Sequence, residues 1–188
     1  MRRVLIIVAV GLLMTAVTAS AQPGVKLGVG GFAGLSIPVI QDDQESGSEF
    51  GFKARWGLGK ILVVEPNVTF TKWGKPGTVE GVDLGIDGSK LTGIGLDLVL
   101  GNSPGALGLK PYFMAGFGSY KVKNDDTGYD ESNLGWNAGL GIGFGVSPKF
   151  DLDIRGKVVV APQDQGSKKA FGIVAGLNFN FGSGIGAI

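Results

Sequence analysis

The segment Leu134–Val146 reads LGWNAGLGIGFGV, and its reading decides the fold. Leu134, Trp136, Ala138, Leu140, Ile142, Phe144 and Val146 take every second position, and Gly135, Asn137, Gly139, Gly141, Gly143 and Gly145 lie between them. A period of two belongs to a β-strand, whose successive side chains point to opposite faces. One face of this strand is apolar and the other is nearly bare. The run is long for a strand of a soluble protein. It suits one that crosses a bilayer on a slant, which takes about 9–11 residues. The segment therefore predicts one strand of a membrane β-barrel.

Seven further segments carry related patterns: Val25–Ile37, Phe50–Leu58, Leu62–Lys72, Lys90–Leu100, Lys110–Val122, Phe150–Val160 and Ala170–Phe181. The connectors alternate in length. Leu58–Ile61, the stretch opening at Gly101–Gly105, and Val146–Lys149 are short, whereas 41–49, 74–89, 124–133 and 161–169 are longer and polar. Short periplasmic turns alternating with longer external loops are the pattern of an up-and-down transmembrane barrel. The expected fold is thus all-β, an eight-stranded antiparallel up-and-down transmembrane β-barrel filling residues 22–188, with both ends on the periplasmic side.

Glycine settles which face is inside. The chain has 35 glycines in 188 residues, spread through the apolar segments rather than gathered in one tract. With the apolar face inward, the outside would be a belt of glycine with poor β-propensity and little solubilising charge. With the apolar face outward, the glycines lie in a narrow lumen where backbones and charged side chains crowd together. Lys26, Lys53, Arg55, Arg155 and Lys157 share this small face with Glu65, Asp97, Asp151 and Asp153. Opposite charges in one confined interior predict a paired network, since unpaired charges there would be very costly. The lumen is expected to be plugged by it. Two aromatic girdles are also expected. One holds Trp73, Tyr120, Trp136, Phe50 and Phe171 near the long loops; the other holds Trp56, Tyr112, Phe150 and Phe181 near the short turns.

Residues 1–21 carry a basic start (Arg2, Arg3), an apolar stretch from Val4 to Val17 and the small-x-small site Ala19-Ser20-Ala21. This is the pattern of a cleaved secretory signal peptide. Together with the barrel it predicts a bacterial outer-membrane location. The chain contains neither Cys nor His, which removes disulfides, thiol chemistry, the commonest general base and the commonest metal ligand. No catalytic, cofactor-binding or metal site is expected, and the near-neutral charge of +1 gives no reason to expect nucleic acid.

Some local patterns are weighed and set aside. Gly28 to Ala33 fits the G-x-G-x-x-A dinucleotide fingerprint, but no strand–turn–helix context surrounds it. Asn67-Val68-Thr69 is a glycosylation sequon by pattern only. Asn124–Glu131 is acidic without EF-hand spacing. A looser expectation is an acidic outer rim of Asp42, Asp43, Glu45 and Glu49 with Asp125, Asp126, Asp130 and Glu131, which divalent cations would bridge to lipopolysaccharide phosphates. The carboxylates Asp151 and Asp153 could do acid–base work, but their cationic neighbours assign them to the network.

With its leader, the segment PYFMAGFG (Pro111–Gly118), the glycine-alternating sixth strand and the final strand, the chain resembles the small bacterial outer-membrane barrels of the OmpA/OmpX type, including the opacity-like, porin-family proteins. The resemblance covers residues 22–188. It implies that Ile173, Ala175, Leu177, Phe179 and Phe181 form the C-terminal signal read by the barrel-assembly machinery, although here Gly182–Ile188 follows Phe181. The expected partners are outer-membrane lipid and lipopolysaccharide, that machinery, and a surface partner through loops 41–49, 74–89, 124–133 and 161–169; the protein is expected to be a monomer. The leading expectation is a non-enzymatic role in envelope structure or surface interaction. The alternatives are a narrow pore or transporter for small molecules, and a soluble periplasmic barrel binding an apolar ligand.

Overall fold

The computed structural model describes residues 26–39, 44–75, 87–163 and 166–181. The leader at 1–21, residues 22–25, parts of three loops and the tail 182–188 lie outside the described residues. Eight strands follow in order: β1 Lys26–Pro38, β2 Gly47–Leu58, β3 Leu62–Lys72, β4 Lys90–Leu100, β5 Gly108–Asn124, β6 Tyr129–Gly145, β7 Phe150–Gln163 and β8 Gly166–Phe181. Each pairs antiparallel with its neighbours in sequence, and β8 closes on β1 to complete the barrel. Closure leaves no free sheet edge around the belt, so ladder partners satisfy the backbone groups where lipid could not.

The alternation read from the sequence sets the two surfaces. On β6, Leu134, Trp136, Leu140, Ile142 and Phe144 are exposed outward, while Gly135, Asn137, Gly143 and Gly145 are buried within. The outward apolar run from Leu134 to Phe144, tilted as barrel strands are, spans about 25 Å, the height of the apolar band on outer-membrane barrels. Phe50 and Phe70 stack with ring centroids 5.2 Å apart at its upper side, and Phe150 packs edge-on against Phe179 at its lower side. The apolar side chains thus lie outside, opposite to what a soluble barrel with an apolar cavity would require.

The strands run further beyond this band than the sequence suggests. Of the expected loop 124–133 only Asp125–Gly128 is a turn. Strands β7 and β8 occupy most of 161–169, and β2 already begins at Gly47. Above the band, β5 and β6 stay paired although their outward residues are polar (Ser119, Lys121, Lys123, Asp130, Ser132), because the ladder bonds and a tight turn at Gly128, φ +71°, hold the hairpin without lipid.

The band makes a direct prediction. Leu140→Arg, near its midplane, should destabilise the barrel by about 2–4 kcal/mol, and Ser132→Arg, above it, by about 0–1 kcal/mol. Guanidinium unfolding in lipid vesicles checks both.

Candidate functional site

The interior is where this chain departs from an empty tube. Lys53 and Arg55 enter from β2, Glu65 from β3, and Asp151, Asp153 and Arg155 from β7; all six are buried. Arg55 donates from Nε to Glu65 Oε1 at 2.9 Å, from Nη1 to Asp151 Oδ1 at 2.8 Å, and from Nη2 to the Asn102 carbonyl at 2.6 Å. Arg155 donates from Nη2 to Glu65 Oε2 at 3.1 Å, and from Nε and Nη2 to Asp153 Oδ2 at 2.9 and 2.8 Å. Lys53 Nζ completes the set, 3.0 Å from Asp153 Oδ1 and 4.0 Å from Glu65 Oε2. Three cations thus face three carboxylates, and every member has an oppositely charged neighbour.

Neutral donors add further bonds to the two aspartates, while the Oδ1 atoms of Asn178 and Asn180 and the Asn102 amide stay without a side-chain partner. The Tyr112 hydroxyl donates to Asp153 at 2.7 Å, Asn178 reaches both Asp151 and Asp153, and Asn180 reaches Asp151 at 2.8 Å. Lys110 Nζ lies 3.7 Å from Asp151 at the lower edge. Multiple bonds to each aspartate are what make the buried charge tolerable, since an unpaired carboxylate in the interior is very costly.

The glycines explain how so much side chain fits. On β6, Gly141 faces the Tyr112 ring and Gly143 faces the Asn102 amide; a Cβ at either place would collide with them. Gly28 and Gly30 on β1 leave room for Asn180 and Asn178, and Gly176 on β8 leaves room for Asp153. Bulky inward residues thus sit beside bare positions on the adjacent strand: Tyr112 beside Gly141, Asp153 beside Gly176, and Asn178 and Asn180 beside Gly30 and Gly28.

The network does not include every charged residue expected on this face. Asp97 accepts from Asn137 at 2.9 Å, and Asn137 also reaches the Tyr120 hydroxyl, forming a separate polar layer above. Lys157 pairs with Glu49 at 2.6 Å and lies 5.2 Å from the Phe32 ring centre. Lys26, at the lower rim, makes no ion pair with a described residue. Strand tilt staggers these positions along the axis, so sharing a face does not bring them to one level.

Among the described residues, both ends of the lumen carry buried side chains. Above, Trp73, Leu91, Tyr120, Val122, Val159 and Ala170 form a buried cluster, and Trp73 Nε1 donates to the Ser36 hydroxyl at 3.0 Å. Below, the turn after β4 folds inward at Gly101, φ +112°, and buries Asn102, Ser103 and Pro104. Val63, Val99, Tyr112 and Met114 pack nearby.

Several expectations are corrected here. Trp73, Tyr112 and Tyr120 belong to the lumen, not to the girdles, because strand parity turns them inward. Glu49 is a buried partner of Lys157 and not part of an acidic rim. Asp130 pairs with Lys121 at 2.8 Å, and Asp125 accepts from Lys123 and Lys90, which hold its carboxyl down at about 2. Asp42 and Asp43 lie outside the described residues. No cluster of metal-ligating groups occurs among the described residues. Gly28–Ala33 is mid-strand backbone of β1 with no helix after it.

The neutral partners of the network differ in how visible they are in the sequence. Tyr112, Asn178 and Asn180 share the glycine parity and were legible on that ground. Asn102 and its carbonyl come from a turn, where parity carries no information.

Ile173, Ala175, Leu177, Phe179 and Phe181 all point outward along β8, in register with β1 from Leu27↔Phe181 to Leu35↔Ile173.

A family model described as an outer membrane protein beta-barrel domain matches residues 5–179. No curated protein matches the chain. Among solved structures, the chain is similar to Neisserial surface protein A, at 18% identity and TM-score 0.64, covering 84% of this chain and 97% of that one. It is also similar to the N-terminal barrel domain of Pseudomonas aeruginosa OprF (18%, TM-score 0.53, covering 83% and 97%). The Yersinia pestis attachment invasion locus protein Ail matches at 18% identity and TM-score 0.52, covering 85% and 100%. At these identities the likeness is one of fold.

Two substitutions test the lumen. Arg155→Met leaves Glu65 and Asp153 short of a partner and should cost about 3–5 kcal/mol. Gly141→Ala overpacks the Tyr112 ring and should cost about 1–3 kcal/mol. Urea titration of the refolded protein reads both.

Proposed function

Because the chain belongs to the outer membrane protein β-barrel family, we propose that it acts there as a closed, non-enzymatic barrel serving envelope structure or surface contact rather than passage. The observation that carries this reading is the filled lumen. Arg55 and Arg155 bridge opposite walls, an apolar cluster stands above them and an inward turn stands below. A transport path would need water-lined space at the level where these side chains interlock.

The acids in the interior are committed to cations and amides, so none is poised to exchange protons with a substrate. The chain also lacks the His on which a general base would commonly rest. A surface partner would meet the external tips, of which residues 44–46, 73–75, 87–89 and 125–128 and the adjoining strand ends are described. Assembly through the outward side chains of β8 from Ile173 to Phe181, a leader removed after Ala21, and a monomeric state complete the proposal.

Planar-bilayer recording of the refolded protein tests it. The expected result is a silent membrane in the presence of folded, heat-modifiable protein. Stable unitary conductance would favour the narrow pore instead. If Arg155→Met created conductance where the native protein had none, the network would be identified as the plug.

A further inference from the structure

The turn between β4 and β5 is held inside the barrel by cations rather than by its own side chains. Residues 101–107 fold into the lower mouth between Gly101 (φ +112°) and Gly108 (φ +81°). Glycine takes such dihedrals without steric cost, so both ends of the segment can act as hinges. Arg55 Nη2 donates to the Asn102 carbonyl at 2.6 Å, and Lys110 Nζ approaches the Ser103 carbonyl at 3.4 Å. Both amide atoms of Asn102 and the Ser103 hydroxyl are buried and make no hydrogen bond with a described residue. A buried polar group without a partner is costly, and water would satisfy all three if the turn swung out. Two cations thus hold the turn inward against the pull of its own unpartnered groups.

Positive charge is in excess around this turn. Lys26, Lys53, Arg55, Lys110 and Arg155 gather in the lower lumen around Glu65, Asp151 and Asp153. Asp151 is already shared by Arg55 and Lys110, and Lys26 pairs with none of the three acids. Lys26 and Lys110 flank the turn. Lys26 is the ladder partner of Gly57, whose bare face meets Pro104, and Lys110 is the partner of Gly143, whose bare face meets the Asn102 amide. The two turn carbonyls therefore stand where the oxygens of an anion would be held. A charged oxygen makes shorter and stronger bonds to guanidinium and ammonium donors than a neutral carbonyl does. We propose that Arg55, Lys110 and Lys26 form a binding site for a small periplasmic oxyanion, a phosphate or a carboxylate, gated by the turn 101–107. The anion takes the place of the Asn102 and Ser103 carbonyls, and the released turn gains water for its buried polar groups. This inference rests on the outer-membrane barrel and goes beyond it. The lumen stays closed above the site, because Arg55 keeps Glu65 and Asp151 through Nε and Nη1.

A chain without cysteine makes the gate readable through one introduced thiol. Ser103→Cys is placed in the full mature chain, refolded into detergent micelles so that both mouths meet solvent, and its reaction with a neutral, water-soluble maleimide is followed by mass. Labelling should be slow in sodium chloride. It should rise several-fold and saturably with inorganic phosphate or with acetate at the same ionic strength, and the larger response identifies the oxyanion class. Hydrogen exchange over residues 101–107 of the unsubstituted protein should rise in parallel. Both responses should be lost in the Lys26→Gln, Lys110→Gln protein and persist in a Lys60→Gln, Lys149→Gln protein, altered at exposed turns of the same mouth. No response to either oxyanion, an equal response to added chloride, or an undiminished response in Lys26→Gln, Lys110→Gln would overturn the proposal. So would a Ser103→Cys thiol that never reacts. Heat-modifiable migration confirms that each variant folds; should the double variant fail to, Lys26→Gln alone decides, since Lys26 lies outside the ion-paired network. A folded, non-conducting barrel with no oxyanion response would sink this inference and leave the closed barrel standing.

Discussion

The pairing of Arg155 with Glu65 and Asp153 is the interaction on which the rest of the interior depends. It ties β7 to β3 across the lumen, and Arg55 returns the connection from β2 to Glu65 and Asp151. A carboxylate or guanidinium removed from water is costly unless it is both paired and hydrogen-bonded. Six charged groups gathered in one cross-section would be untenable singly. Together with Tyr112, Asn178 and Asn180 they form a set in which the carboxylates are multiply bonded. The barrel is thus cross-braced from within, in addition to being closed by its ladder.

The braces impose the glycine pattern. A small barrel has an interior only wide enough for side chains to fill. Where β5 presents Tyr112, β6 must present Gly141, and where β7 presents Asp153, β8 presents Gly176. Glycine lowers strand propensity, and that cost is accepted at the places where a Cβ would displace a bracing group. The same glycines leave the outer face to supply nearly all of the apolar surface, so interior bracing and exterior lipid contact come from one alternating pattern.

Much of this was legible in the sequence because a period of two is strict. The alternation in Leu134–Val146 gave strand, parity and inside-out polarity together, and the charged set Lys53, Arg55, Glu65, Asp151, Asp153 and Arg155 followed from parity. What parity does not encode is height along the axis. Lys157, Asp97 and Lys26 share the inward face but fall at other levels, and only the register between strands reveals it. The aromatic residues show a related limit. Trp73, Tyr112 and Tyr120 stand near segment ends, as girdle residues do, but their parity turns them inward, where their polar atoms find Ser36, Asp153 and Asn137. The strands also outrun the alternation, because polar outward residues on β5 and β6 carry no strand signal once the apolar band ends.

The central claim is that apolar residues of one parity meet lipid and residues of the other parity fill a closed interior. Tryptophan fluorescence in bilayers of brominated-acyl lipid tests it most directly, using two variants that retain one of Trp73 and Trp136 with the other tryptophans replaced by Phe. Trp136 is 51% exposed on the outer face and Trp73 is 3% exposed within the upper lumen cluster. Strong quenching of Trp136 with little quenching of Trp73 is the predicted result. Equal quenching of both, or quenching of Trp73 alone, would contradict the assignment of inside and outside.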